Sequence, residues 1–491
     1  MESYSILVSL IIALLAATTA NAKYSGGTGD PNDPYKIATA EDLNDIGRYE
    51  EDWGKHFILI NDVNLAGYTG SQFKVIGRFA GWSPTDKPFT GVFDGNDHKV
   101  RNFTWSSIDS NGIGLFGYLG EGGQIKNLAM ENVDVNAATG WFVGGLVVNN
   151  SGTITNCYLK GNIDGNDLVG SLVGLNYGTI IDCCSTGSVS GKTCVGGLAG
   201  FNGGTITDCH STASISQTPG NHSVGGLVGY NSGTITDCYS TGDVSGDWGV
   251  GGLVGKNSGM TANCYSTASV TGAWWVGGLV GGNMGDGLIT NSYSIGSVSG
   301  GIDVGGLAGG NIRGYITNSY STVSVTGASG VGGLVGHNHE GTITACYSTG
   351  SVSGTVGPVG GLVGFVRYGE IIYSFWDTET SGLSESAGGT PKTTAEMKTK
   401  STFTEAGWDF VNIWDICEGT NYPRLRWQIL EADFLCPYGV DFVDFAVLAS
   451  AWQTEPNEAN WRPGCDISEP KDNFIDELDL SIFCENWLAP P

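Results

Sequence analysis

Residues 224–249 read VGGLVGYNSGTITDCYSTGDVSGDWG, and the stretch recurs with small changes nine times. Its hydrophobic opening falls at Val143, Val169, Val195, Val224, Val250, Val276, Val304, Val331 and Val359, at intervals of 26, 26, 29, 26, 26, 28, 27 and 28 residues. A period in the twenties marks one supersecondary unit stacked on copies of itself. The unit is rich in Val, Ile, Thr and Tyr and is punctuated by Gly and Asn, so it predicts short strands joined by turns. The expected fold is all-β: a parallel β-solenoid of about nine to eleven coils, with capping segments and a small C-terminal α-helical domain.

Alignment of the copies produces columns. Asn150, Asn176, Asn202, Asn231, Asn257, Asn283, Asn311 and Asn338 stand seven residues after the opening valines, and the column fails at Val366. Stacked asparagines hydrogen-bond from coil to coil and tolerate a left-handed backbone. A second column carries Cys157, Cys183, Cys209, Cys238, Cys264 and Cys346, with Ser292, Ser319 and Ser374 in the other copies. Adjacent parallel strands are about 4.8 Å apart, whereas a disulfide needs Cβ atoms about 3.8 Å apart. This column therefore reads as unpaired small filler. Between the two runs lie Asn156, Asp182, Asp208, Asp237, Asn263, Asn291 and Asn318, which read as a hydrogen-bonded turn column. Two stacked carboxylates there also match the separation of about 5 Å used by retaining glycosidases, although any stacked pair in a solenoid does so. Ile235 and Cys238 are three apart and cannot share a side of a straight strand. Either the strand bends at Asp237 or the Tyr239 column is internal.

Gly accounts for 80 of 491 residues and charged residues for only 14%, with a formal charge of -27. Such an acidic balance opposes nucleic-acid binding, which needs Lys and Arg to displace counterions. The six histidines form no HExxH-type pattern, and neither a GxSxG elbow nor a phosphate-binding loop is present. Between residues 143 and 375 the only Lys and Arg are Lys160, Lys192, Lys256, Arg313 and Arg367. No basic pair stands ready to take a proton beside a carboxylate.

Residues 1–22 read as a secretory signal peptide. The apolar run SILVSLIIALLAATT is followed by Ala20, Asn21 and Ala22, although its n-region lacks Lys and Arg. The expectation is export, with no membrane span after cleavage. Residues 23–112 read as an N-terminal cap with degenerate first coils, including a helix capped by Thr39 with Asp42 three residues on. Residues 113–375 form the repeat body, with GIGLFG at 112–117 as a degenerate first copy. Residues 376–430 read as a Ser/Thr/Gly-rich loop followed by an aromatic plug carrying Trp408, Phe410, Trp414, Tyr422 and Trp427.

The VGGLVG opening followed by N, GTI and CYSTG resembles the GLUG repeat family of large bacterial extracellular and surface proteins. That resemblance implies a β-solenoid and a role in adhesion or extracellular binding. In residues 431–491, two helical runs, DFAVLASAW and LDLSIFCENWL, each follow an acidic stretch. Asp466, Ser468, Asp472, Asp476 and Asp479 precede the second as oxygen ligands precede a helix in an EF-hand-like loop. Asp433, Asp441 and Asp444 mark a poorer first copy. The pair resembles a dockerin, which implies Ca2+ as cofactor and a cohesin-like domain or cell-surface scaffold as partner. The second loop has two extra residues and places Asn473 where Gly is usual; a simpler reading is a helical hairpin stapled by two of Cys436, Cys465 and Cys484.

The sequence thus points to a secreted, non-catalytic binding or adhesion protein, with a polysaccharide or surface molecule as ligand. A carbohydrate-active enzyme and a structural spacer are the rival readings.

Overall fold

A computed structural model describes residues 23–69, 72–106, 112–137, 139–217, 222–430, 432–436, 439–456, 458–462, 465–468 and 471–487. The proposed signal peptide, residues 1–22, lies outside the described residues.

The repeats stack as a parallel β-solenoid. In the coil around Val224, one wall is His222–Gly225 and a second is Val228–Asn231. A third wall is broken into Thr234–Thr236, Tyr239–Ser240 and Val244–Ser245. Each segment pairs parallel with its counterpart 26 residues on: Val224 with Val250, Asn231 with Asn257, Tyr239 with Tyr265. Among the described residues, the first wall stacks nine strands and the second ten. Val224, Leu227, Val228, Ile235, Cys238 and Val244 all point inward and are buried. Copies of this set in register make one continuous apolar core.

The glycines of the VGGLVG opening permit a close approach. A Cβ at Gly229 would collide with the backbone of Cys194 and Val195 in the preceding coil, so the first two walls meet without intervening side chains there. The buried serine of CYS supplies a lock the sequence reading missed. Ser185 donates to Gly197 O at 2.7 Å, Ser294 to Gly306 O at 2.7 Å and Ser348 to Gly361 O at 2.8 Å, each tying the third wall to the glycine turn of the next copy.

Two columns behave as read. Asn150 begins a relay in which each side-chain N–H donates to the next carbonyl oxygen, through Asn176, Asn202, Asn231, Asn257, Asn283 and Asn311 to Asn338, at 2.7–2.9 Å. The six column cysteines are buried and free.

At the N-terminal end, Ala40–Arg48 forms the expected helix with a reciprocal Thr39–Asp42 capping box, and buries Leu43 and Ile46. GIGLFG does enter the stack: Ile113 bridges Val143, and Phe116–Leu119 pairs with Val147–Asn150. At the other end, the segment expected to be a loop is structured. Phe375–Asp377 pairs parallel with Thr390–Lys392, which prolongs the stack. Short helices Thr378–Ser381 and Thr394–Met397 follow from side-chain caps at Asp377 and Thr393, and Lys400–Thr404 follows without one. Local capping thus outweighs the Ser/Thr/Gly composition.

The helices Phe442–Ser450 and Glu477–Trp487 pack around Leu448, Ala451, Ile467, Ile475 and Phe483. The disulfide expectation is corrected here. Cys436 pairs with Cys417, while Cys465 and Cys484 are free. The link therefore ties the tail to the plug instead of stapling the two helices. No helix among the described residues is long and apolar enough to cross a membrane.

Candidate functional site

The third wall owes its shape to one column. Asn127, Asn156, Asp182, Asp208, Asp237, Asn263, Asn291, Asn318, Ala345 and Tyr373 all have φ between 47° and 55°. This left-handed bend, natural to Asn and Asp, answers the side-chain parity problem. Ile235 and Cys238 both point inward across the bend, and Tyr239 emerges outside. The carboxylates are exposed, and Asn263 Nδ2 donates to Asp237 Oδ1 at 3.0 Å. Partial burial, then the neighbouring charges of Asp237 and Asp182, hold the Asp208 carboxyl above the ordinary aspartate value.

Immediately after the bend stands an aromatic ladder. His210, Tyr239, Tyr265, Tyr293, Tyr320 and Tyr347 stack ring on ring, with centroids 4.7–5.1 Å apart and planes within 9°. Each face covers its neighbour, so the ladder offers ring edges and hydroxyls outward and no open face for a sugar.

The C-terminal plug covers half of this ladder. Trp408 and Trp414 are buried against Tyr347 and Phe375, the Tyr347 hydroxyl donates to Pro423 O at 2.6 Å, and the Tyr422 hydroxyl donates to Asp377 Oδ2 at 2.7 Å. Trp427 ends the cover. Its indole N–H donates to Asn291 O at 3.0 Å, and its ring leans on Tyr265 and Tyr293. Trp408 and Trp414 therefore bury, as aromatics at a cap normally do, whereas Trp427 stays 39% exposed.

In the tail, two loops repeat one backbone pattern. Asp444 Oδ1 accepts N–H bonds from Phe434 and Leu435 at 2.8 and 3.0 Å, and its Oδ2 accepts from Asp441 at 3.0 Å. Asp479 accepts likewise from Ile467, Ser468 and Asp476 at 2.7, 2.9 and 2.9 Å. Asp433 Oδ2 accepts the Gly439 N–H and Asp466 Oδ2 the Asn473 N–H. Asn473 has φ 62°, so it adopts the left-handed conformation for which Gly is the usual residue. The loops are joined by Gln453 N–H donating to Ile475 O at 2.8 Å.

The donor set is all oxygen, the chemistry Ca2+ takes. Asp466 Oδ1 and Ser468 Oγ are buried with no hydrogen-bond partner, which suits a cation. Asp472 and Asp476 instead accept N–H bonds from Phe474 and Leu478, and no group of three His, Cys, Asp or Glu is gathered for a metal among the described residues. Burial pushes the Asp433 carboxyl up from its ordinary value.

Five stretches match the GLUG motif. They are residues 191–216, 220–245, 246–271, 272–299 and 327–353, all within the solenoid wall. The chain is also 37% identical over 138 residues to the "Putative Gly-rich membrane protein" of Evansella cellulosilytica, a match covering 27% of this chain and 15% of that protein. It is 33% identical over 144 residues to the "Halomucin" of Haloquadratum walsbyi, covering 29% of this chain and 2% of that protein. The chain thus spans a small part of either relative. A solved structure titled as a putative immunoglobulin A1 protease from Bacteroides ovatus is 19% identical, with a TM-score of 0.31, over 83% of this chain and 96% of that one.

Proposed function

We propose that this GLUG-repeat chain is an extracellular, non-catalytic β-solenoid that binds a polysaccharide or another surface molecule along its wall. Through residues 431–491 it is docked to a larger assembly. The observation that carries the reading is the parallel stacking of a filled interior: the core is occupied from coil to coil, which leaves the outer wall as the place for recognition. The relatives' printed names accord with a place at or outside the cell surface.

The duplicated carboxylate pattern of the tail supports the dockerin-like reading. In it, Asp466, Ser468, Asp472, Asp476 and Asp479 hold Ca2+, with Asp433, Asp441 and Asp444 as the weaker loop, and a cohesin-like domain is the partner. The cation would fix the loop against the start of Glu477–Trp487 and so orient that helix for docking.

The test is incubation of the full chain with a polysaccharide panel. Retention without cleavage supports a binder. New chain ends would replace it with an enzyme, and neither result with a spacer.

A further inference from the structure

The first wall carries a second left-handed column, which places aromatic faces where the tyrosine ladder does not. Phe142, Leu168, Cys194, Ser223, Gly249, Trp275, Asp303 and Gly330 occupy successive coils with φ between 51° and 75°. Toward the N-terminal end their side chains close over the second wall, where Phe142 and Leu168 pack on Val148, Leu175 and Phe79. Ser223 and Gly249 are too small to continue that cover.

Indoles take their place. Trp275 lies over the backbone of Gly282, where a Cβ would come within 2.9 Å of its ring, and its N–H donates to Asp303 Oδ2 at 3.1 Å. Trp248 stacks on it with centroids 4.4 Å apart, and His222 meets Trp248 edge-on at 4.2 Å. One residue before Trp275, Trp274 projects outward and is 46% exposed. His222, Trp248 and Trp274 are register partners on consecutive coils, so they form a row parallel to the solenoid axis.

We propose that this row, with Trp274 as its exposed ring and Trp248 stacked on Trp275 beside it, binds a neutral polysaccharide chain laid along the solenoid axis. The inference rests on the binding reading above and deepens it by naming the site and the class of ligand. The exposed Trp274 ring offers apolar area to the C–H face of a pyranose, while Trp248, covered on one face by Trp275, adds what its stack leaves open. Asp303 Oδ2 meets both the Trp275 N–H at 3.1 Å and His337 Nδ1 at 3.5 Å, which leaves its other oxygen as the acceptor for a sugar hydroxyl. The charge of -27 repels uronate and phosphate polymers. Rungs about 4.8 Å apart suit a polymer, which meets one ring after another.

Affinity electrophoresis of the full chain tests this, in gels holding hydroxyethylcellulose, xylan or polygalacturonate. Retardation is expected in a neutral gel and absent in polygalacturonate. W274A should weaken it about tenfold, about 1.4 kcal/mol, with an unchanged circular dichroism spectrum; Y368A, an exposed aromatic in a different column, should not. Trp274 is exposed enough for its variant to fold, and W248A supplies the second reading. Retardation that survives both tryptophan variants, or that Y368A weakens equally, overturns this site and leaves the binding reading standing. Retardation in no gel overturns both. Displacement by choline at the concentration that saturates the chain assigns the row to a cation and overturns the glycan.

Discussion

Asn231 and Asn257, 26 residues apart in the chain, share a buried side-chain hydrogen bond of 2.8 Å, and Asn257 passes the same bond to Asn283 at 2.9 Å. Each interior member both donates and accepts, and also donates to the carbonyl of its own turn, as Asn257 does to Gly259 O at 3.1 Å. An amide relay of this kind fixes the axial register that the apolar core alone would leave free to slip.

Replacing Asn257 by Ala leaves the Asn283 amide without its donor partner and the Gly259 carbonyl weaker by one bond. The expected cost is about 1–3 kcal/mol per orphaned buried group. Since a solenoid need not unfold in one step, the measurement is local: amide hydrogen exchange of residues 228–290, which should quicken in N257A. N338A, at the end of the relay where the next copy has Val366, should disturb exchange less.

The cysteine column makes a contrary prediction of tolerance. Cys209 Sγ accepts the Cys183 N–H at 3.3 Å, and farther along Ser292 Oγ accepts the Cys264 N–H at 3.1 Å in the same geometry. C209S should therefore fold with a stability loss under about 1 kcal/mol, comparable to a volume-conserving core change. A thiol reagent on the native chain should modify exposed Cys484 first, and reach the buried column only after denaturation.

Much of this was legible in the sequence because the repeat averages out noise: nine copies fix strand positions, the inward set and the asparagine relay. The sequence leaves the side of the tyrosine ladder open because parity along a strand presumes a straight backbone, and one left-handed residue, Asp237, reverses it. The Trp275 platform was invisible for a different reason. It depends on Gly282 and Gly310 of a neighbouring wall being bare, a relation between coils that no single copy displays.

The plug should detach at high pH. Burial, then the neighbouring tyrosines, pushes Tyr265 up to about 12; burial, then the hydrogen bond to Asp377, does the same for Tyr422. Because the folded values lie above the ordinary phenol value of about 10, stability from these rings is fully present below pH 10 and is lost as pH rises toward 12. Tyrosinate absorbance should lag that of a denatured control across this interval. Trp427 emission should shift as its ring leaves Tyr265 and Tyr293.

The Cys417–Cys436 bond closes a loop of 19 residues between plug and tail. By loop entropy its removal costs about 3 kcal/mol. C417S/C436S should leave the solenoid's exchange protection intact while proteolysis between residues 426 and 440 accelerates; equal loss of protection in both regions would mean that the tail supports the stack.

Calcium should discriminate between the two tail loops. In the second, Asp466 Oδ1 and Ser468 Oγ are buried without partners, an arrangement costly to maintain without a ligand. In the first, Leu435 stands where the second has Ser468 and supplies no side-chain oxygen. Titration of the chelator-treated full chain with Ca2+ should thus give one stronger site. D466A should abolish it, and D433A should leave it within about threefold, under about 1 kcal/mol. Binding should slow amide exchange in Glu477–Trp487 more than in Phe442–Ser450, because its loop leads directly into the first of these helices. Identical titrations for D466A and the unaltered chain would remove the metal from this loop.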